Sequence, residues 1–237
     1  MSTFFRNKTG RGLLLAAGLL IIVALGPQAV FVLLFVILLA CAVELASFAH
    51  FSEFTQRNGA LTAVALQGAI VAFGALALMY IIDQHGLGLT MVIVAAVYCE
   101  NAGAQIFGKK YGRTPLSPRY SPNKTLEGAM WGWVCGSVCG LLFLALAVWQ
   151  NAVESPMIWV VVAAIAPPLA ELGDLIESRM KRLVGVDDSG DLTRGSTRFV
   201  RIASLSGLFG KQGGALDKTD SLWLVACASA PLLVILA

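Results

Sequence analysis

Blocks of apolar residues, each roughly the 20 residues that carry a helix across a bilayer, recur along the chain and constrain its fold more than any other feature. They run Gly12–Leu25, Ala29–Phe48, Ala60–Ile82, Leu87–Phe107, Ala129–Trp149, Pro156–Met180 and Ser221–Leu236. Gly26 and Pro27 mark a tight turn between the first two. With 57% hydrophobic and only 13% charged residues, the chain lacks the charge to cover a water-soluble surface of this size. The blocks are continuous, without the period-2 alternation of an outer-membrane barrel. The sequence therefore predicts an all-α, polytopic transmembrane protein with about seven spans, the first and last short enough to be tilted or interfacial.

Placement of the cations, which played no part in that count, agrees with it. If the amino terminus is cytoplasmic and the spans alternate, Arg6, Lys8 and Arg11 precede the first span and Arg57 falls in the first internal loop. Lys109, Lys110, Arg113, Arg119 and Lys124 fall in the second, and Arg179, Lys181, Arg182, Arg194, Arg198, Arg201, Lys211 and Lys218 at or within the third. The outer turns carry acids such as Asp83 and Glu154, the asymmetry of the positive-inside rule. The expected location is the cytoplasmic (inner) membrane, with the amino terminus inside and the carboxyl terminus outside. A cleaved signal peptide suits the start less well, because the apolar stretch continues past Pro27 without a small-residue cleavage site. The net charge of +3 follows from topology and anionic headgroups, and no nucleic-acid partner is expected.

Cysteine and histidine offer little chemistry. The five cysteines sit in or near apolar blocks without a CxxC pair, and the four-residue spacing of Cys135 and Cys139 serves packing on one helix face. His50 and His85 fall near helix ends on opposite sides of the membrane, which speaks against a shared role.

Ionisable groups inside apolar helices are costly and call for a reason. Behind Pro167 and Pro168, the sixth block carries Glu171, Asp174, Glu177 and Arg179, and helical spacing puts Glu171, Asp174 and Ser178 on one face. For Glu177 and Arg179 the plain alternative is a helix emerging into cytoplasm. Asp217 and Asp220 share a side of the incipient last helix, after a Gly213–Gly214 turn. Hard oxygen ligands of this kind suit Mg2+, which takes one or two carboxylates and completes its shell with water and phosphate. The second internal loop supplies the opposite charge, since Ser121, Lys124 and Thr125 beside a helix start can hold phosphate. It is not a Walker-type loop, and a basic topogenic loop is the competing account.

Three stretches together resemble a known family. Ser121-Pro122-Asn123-Lys124-Thr125-Leu126-Glu127-Gly128 is similar to an SPxKTxEG motif, and Gly173-Asp174-Leu175-Ile176-Glu177-Ser178 with Lys181-Arg182 to a GDLxES…KR motif. Gly213-Gly214-Ala215-Leu216-Asp217-Lys218-Thr219-Asp220-Ser221 is similar to a GGxLDRxDS motif. In this order they resemble the phosphatidate cytidylyltransferases, over about Cys99 to Ser221. The resemblance implies CTP and phosphatidate as substrates, membrane lipids as surroundings, Mg2+ as cofactor and a homodimer as the common assembly. It implies Asp174, Asp217 and Asp220 as metal ligands and, with Lys124 and Lys181, as the catalytic set. Ser121, Thr125, Glu127, Ser178, Arg182, Gly213 and Gly214 are implied on the substrate side. It also implies a division into a transmembrane scaffold, residues 1–98, and a catalytic region, residues 99–237.

Four departures stand against the family pattern. Asn101-Ala102-Gly103-Ala104 replaces a DTGA motif, putting an amide where an acid is usual, with Glu100 beside it. Asp187-Asp188 replaces KD, Lys211-Gln212 replaces the GH of GHGG, and the stretch from Asp188 to Gly213 is longer than the usual link. The reading is a cytidylyl transfer from CTP to phosphatidate that yields CDP-diacylglycerol and diphosphate. The alternative is a catalytically impaired homologue serving as a membrane scaffold or lipid-binding protein. A secondary transporter ranks third, because only the sixth block is clearly broken by proline.

Overall fold

In hydrocarbon every backbone N–H and C=O must find its partner within the protein, and a helix does this from local sequence alone. The structure, a computed structural model, describes residues 25–55, 59–150, 153, 155–186 and 214–236. Its helices are α1 (Pro27–Thr55), α2 (Ala60–Tyr111), α3 (Leu126–Trp149), α4 (Pro156–Val184) and α5 (Leu216–Leu236). A short antiparallel hairpin, β1 (Pro115–Ser117) and β2 (Ser121–Thr125), links α2 to α3. All five helices are long and apolar enough to cross a membrane, which makes this a multi-pass membrane architecture. Apolar side chains such as Phe35, Leu142, Trp149 and Ile235 stand on the outer faces, where lipid is the matching solvent.

The expected count of about seven spans is thereby corrected to five membrane-length helices among the described residues. The apolar blocks Ala60–Ile82 and Leu87–Phe107 are the two arms of one continuous stretch, which departs from helix geometry only at Gly86. The block Gly12–Leu25 lies, but for Leu25, outside the described residues. Gly86 is the only non-helical residue within α2, at φ 77° and ψ 171°, a conformation that a side chain would strain. Gly74, before this point, lies against the backbone of Trp223, while Tyr98, after it, donates its hydroxyl to Lys218 O at 3.4 Å. In a straight helix those two α2 residues would be about 36 Å apart, whereas their partners on α5 are separated by about 7.5 Å. Thus α2 folds back at Gly86, and both halves pack on α5. The expected division between residues 98 and 99 falls inside this helix.

Close packing without a hydrophobic driving force favours small residues. On α3, Gly128, Gly132, Gly136 and Gly140 form a buried stripe, and a Cβ at Gly136 would come within 2.6 Å of Ala96 O on α2 and 2.8 Å of the Pro167 ring on α4. Helix α4 continues through Pro167 and Pro168. Pro168 has no N–H for the carbonyl of Ala164 one turn earlier. The Trp133 indole donates to that carbonyl at 2.8 Å, so a residue of α3 supplies the bond that the proline removed.

Candidate functional site

The hairpin and three helix ends bring the charged residues together. Thr125 caps α3 by accepting from Gly128 N at 3.2 Å, which fixes the residue just before it. Glu127, in the first turn of α3, accepts from the backbone N–H of Arg113 and Thr114 at 3.0 and 3.1 Å. The Thr114 hydroxyl adds a bond at 2.9 Å. These contacts tie both ends of the connection to one helix start, so Lys124 is presented inward from the end of β2.

Lys124 Nζ lies 2.8 Å from Glu171 Oε1 and 2.7 Å from Asp174 Oδ2 on α4. Burial works against its ammonium, but the charges of Asp174 and Glu171 outweigh that effect and hold its pKa above the usual lysine value. Lys124, Glu171 and Asp174 line a cavity of about 510 Å³ together with Asn101, Gln105, Lys109, Asn123 and Thr125. The wall is thus mixed, with cations and amides able to meet phosphate or a polar base.

Asp174 also belongs to a second cluster. Asp174, Glu177 and Asp220 each offer a carboxylate oxygen within 4.8 Å of the others. Glu177 and Asp220 are buried, and Glu177 Oε1 and Asp220 Oδ2 have no hydrogen-bond partner. Three carboxylates so close repel one another unless a cation or protons compensate them. Ligand oxygens at about 2.1 Å from one ion stand about 3.0–4.2 Å apart in an octahedron, and the cluster spacing is compatible with that. The hard donors, the spacing and the two orphaned oxygens fit a divalent cation such as Mg2+.

Asp217 sits beside this cluster with different partners. It accepts from Lys181 Nζ at 2.7 Å and from Gly214 N at 3.0 Å. Lys181 also lies 3.5 Å from Glu177 Oε2, so one ammonium braces the end of α4 against the start of α5. Among the sequence-predicted site residues, then, the structure brings Lys124 to Asp174, Lys181 to Asp217, and Asp174 to Asp220. Ser178 donates to Asp174 Oδ1 at 3.5 Å, Arg182 Nε donates to Tyr120 O at 3.4 Å, and Ser121 begins β2 opposite Ser117. Gly213, Asp187 and Gln212 lie outside the described residues. Glu177 enters the acidic cluster although its position suited a mere helix exit; its offset of three from Asp174 was the available signal.

Comparison with known proteins gives the chain a family. Residues 14–197 match the cytidylyltransferase family, a stretch that holds Lys124, Asp174 and Glu177 and stops short of Asp217 and Asp220. The phosphatidate cytidylyltransferase of Staphylococcus saprophyticus is 32% identical over 168 residues, which cover 70% of this chain and 56% of that protein. That of Staphylococcus epidermidis is 34% identical over 171 residues, with the same coverage. That of Synechocystis sp. is 37% identical over 140 residues, covering 57% and 40%. The chain spans about half the length of these relatives. A match running from the first apolar block through the lysine of the hairpin to the acidic end of α4 places the chain in the cytidylyltransferase family.

Proposed function

We propose that the protein transfers a cytidylyl group from CTP to phosphatidate, giving CDP-diacylglycerol and diphosphate in phospholipid synthesis. The observation that carries this reading is the sharing of Asp174 between a cavity lined by lysines, amides and acids and a largely buried acidic triad, at one end of a membrane-helical bundle. Nucleotidyl transfer to a lipid phosphate needs both features at the membrane boundary, where a water-soluble triphosphate and a lipid headgroup can meet.

In this reading a lipid phosphate oxygen attacks the α-phosphorus of CTP. The new P–O bond forms as the bond from that phosphorus to the bridging oxygen breaks, and diphosphate leaves with the electron pair. The attacking oxygen is already anionic, so no protein base or covalent intermediate is required. Lys124 and Lys109 on the cavity wall balance phosphate charge, and Asn101, Asn123 and Thr125 offer hydrogen bonds for orientation. Asp174, Glu177 and Asp220 would hold Mg2+, which when bound stabilises charge on the transferring and leaving phosphates. Asp217 and Lys181 act as a brace that sets α4 against α5.

The site end is read as cytoplasmic, where Lys109, Lys110, Arg113, Lys124, Arg179, Lys181 and Lys218 gather around helix ends and the hairpin. A cysteine introduced at Arg113 would then react with an impermeant maleimide in inverted vesicles and stay protected in intact cells. Activity is tested with purified protein, labelled CTP, phosphatidate and Mg2+. Label should pass into a lipid product and appear with no other nucleotide at comparable rate. Folded protein that gives no lipid product across varied acyl chains and divalent metals would replace this reading with the scaffold alternative, which the amide at Asn101 favours.

A further inference from the structure

Glu44 lies in the middle of α1 and is fully buried, far in sequence from every residue of the site. An acid within a membrane helix needs strong partners, and Glu44 finds them at the start of α5. Its Oε1 accepts from Ala215 N at 2.9 Å and its Oε2 from Leu216 N at 2.9 Å. Those amides are orphans of the helix start, where the positive end of the helix dipole also favours an anion. Gly214 lies so close to the carboxylate that a Cβ there would overlap it. One turn before Glu44, Cys41 Sγ lies 3.6 Å from Thr219 Oγ1, and Thr219 in turn bonds Ala215 O and the Trp223 indole, each at 2.9 Å. One face of α1 therefore grips the first turn of α5.

That turn carries the chemistry. Asp217, which closes the same turn through Gly214 N, holds Lys181, and Asp220 one turn further on enters the acidic triad. Glu44 is not a member of the triad, yet the turn it clamps determines where Asp220 stands relative to Asp174 and Glu177 on α4. We infer that Glu44 is a positioning residue for the divalent-cation site, acting through the Gly214–Leu216 turn; this rests on the reading of the triad as that site.

The test measures cation binding directly, with full-length protein in nanodiscs of defined lipid and Mn2+ as the probe, followed by the loss of its free paramagnetic signal. Glu44→Gln keeps the size of the side chain but sets an NH2 group against one of the two amides. Its Mn2+ affinity should fall about 10–100-fold, the loss typical of groups that orient metal ligands. Turnover should fall at limiting Mg2+ and recover at high Mg2+, with KM for CTP unchanged. Gly214→Ala, which pushes on the same contact from the other side, should reproduce the weakened binding and serves as the readout should Glu44→Gln fail to fold. A merely structural role would lower the unfolding midpoint and leave the Mn2+ affinity of folded protein at the wild-type value, and that result overturns the inference. Wild-type protein that binds no Mn2+ overturns the reading of the triad and the role of Glu44 with it, an outcome distinct from tight binding in both wild type and variants.

Discussion

Lys181 on α4 stands 2.7 Å from Asp217 on α5, both mostly buried, and its ammonium reaches Glu177 on the other side at 3.5 Å. Removing one partner of such a pair leaves the other desolvated and unmatched, a cost that removing both lessens. Lys181→Met and Asp217→Asn should each lower resistance to SDS-driven unfolding in mixed micelles. The double variant should lose less than the two losses added together, with a coupling of about 0.5–3 kcal/mol. Strictly additive losses would mean that the contact braces nothing.

The acidic triad predicts a specific metal response. Glu177→Gln and Asp220→Asn replace buried carboxylates of the triad with amides of nearly the same size. If each oxygen takes part in holding the cation, turnover should drop about 100–1,000-fold, the equivalent of a few kcal/mol of charge stabilisation. The Mg2+ dependence of the remaining activity should move to higher concentration. Chelation should abolish wild-type activity and Mg2+ should restore it. Wild-type Mg2+ response in either variant would remove that residue from the ligand set.

Lys124 meets two acids, and removing the lysine should cost more than removing one of them. Lys124→Met leaves Glu171 and Asp174 as adjacent unbalanced carboxylates on the cavity wall and takes away a phosphate partner. We expect about a 100-fold loss in kcat/KM for CTP, or about 2.7 kcal/mol. Glu171→Gln should be milder, since Asp174 still orients the lysine. Equal losses in the two variants, measured by initial rates over a CTP series, would contradict this ranking.

Much of this arrangement is legible in the sequence, and the parts that are not have physical reasons. Apolar block length reports the lipid-spanning helices because hydropathy is a local property. It does not report whether two blocks form one element: the polar run Asp83-Gln84-His85 reads as a loop, yet these residues stay helical up to Gly86. Asp174 and Asp220 can be singled out by the cost of burying acids, and the same cost applies to Glu177. Glu177 stands three residues from Asp174, but its closeness to the helix end suggests solvent, and its burial shows only in the fold. Glu44 is a different case, because the bonds it makes to the start of α5 go to backbone amides, which carry no side-chain signature in a sequence. The hairpin was likewise unmarked, since its register depends on the Glu127 and Thr114 contacts rather than on alternating hydrophobicity.

The bond between Trp133 and Ala164 O offers a test of how the proline pair is accommodated. Pro168 removes the N–H that would serve this carbonyl, and in hydrocarbon no water replaces it. Trp133 Nε1 donates at 2.8 Å across the α3–α4 contact, close to where the Pro167 ring meets Gly136. Trp133→Phe keeps an aromatic side chain and deletes the donor, and should destabilise the protein by about 1–2 kcal/mol, the range for interhelical hydrogen bonds in membranes. Pro168→Ala returns the backbone N–H to α4, so the same Trp133→Phe change should cost little in that background. The measurement is a double-variant cycle of unfolding free energies in mixed micelles. Rescue by Pro168→Ala identifies the freed carbonyl as the reason for the tryptophan. An undiminished loss in the Pro168→Ala background would instead assign the effect to ring packing, because the indole and phenyl rings differ in size whichever residue stands at 168.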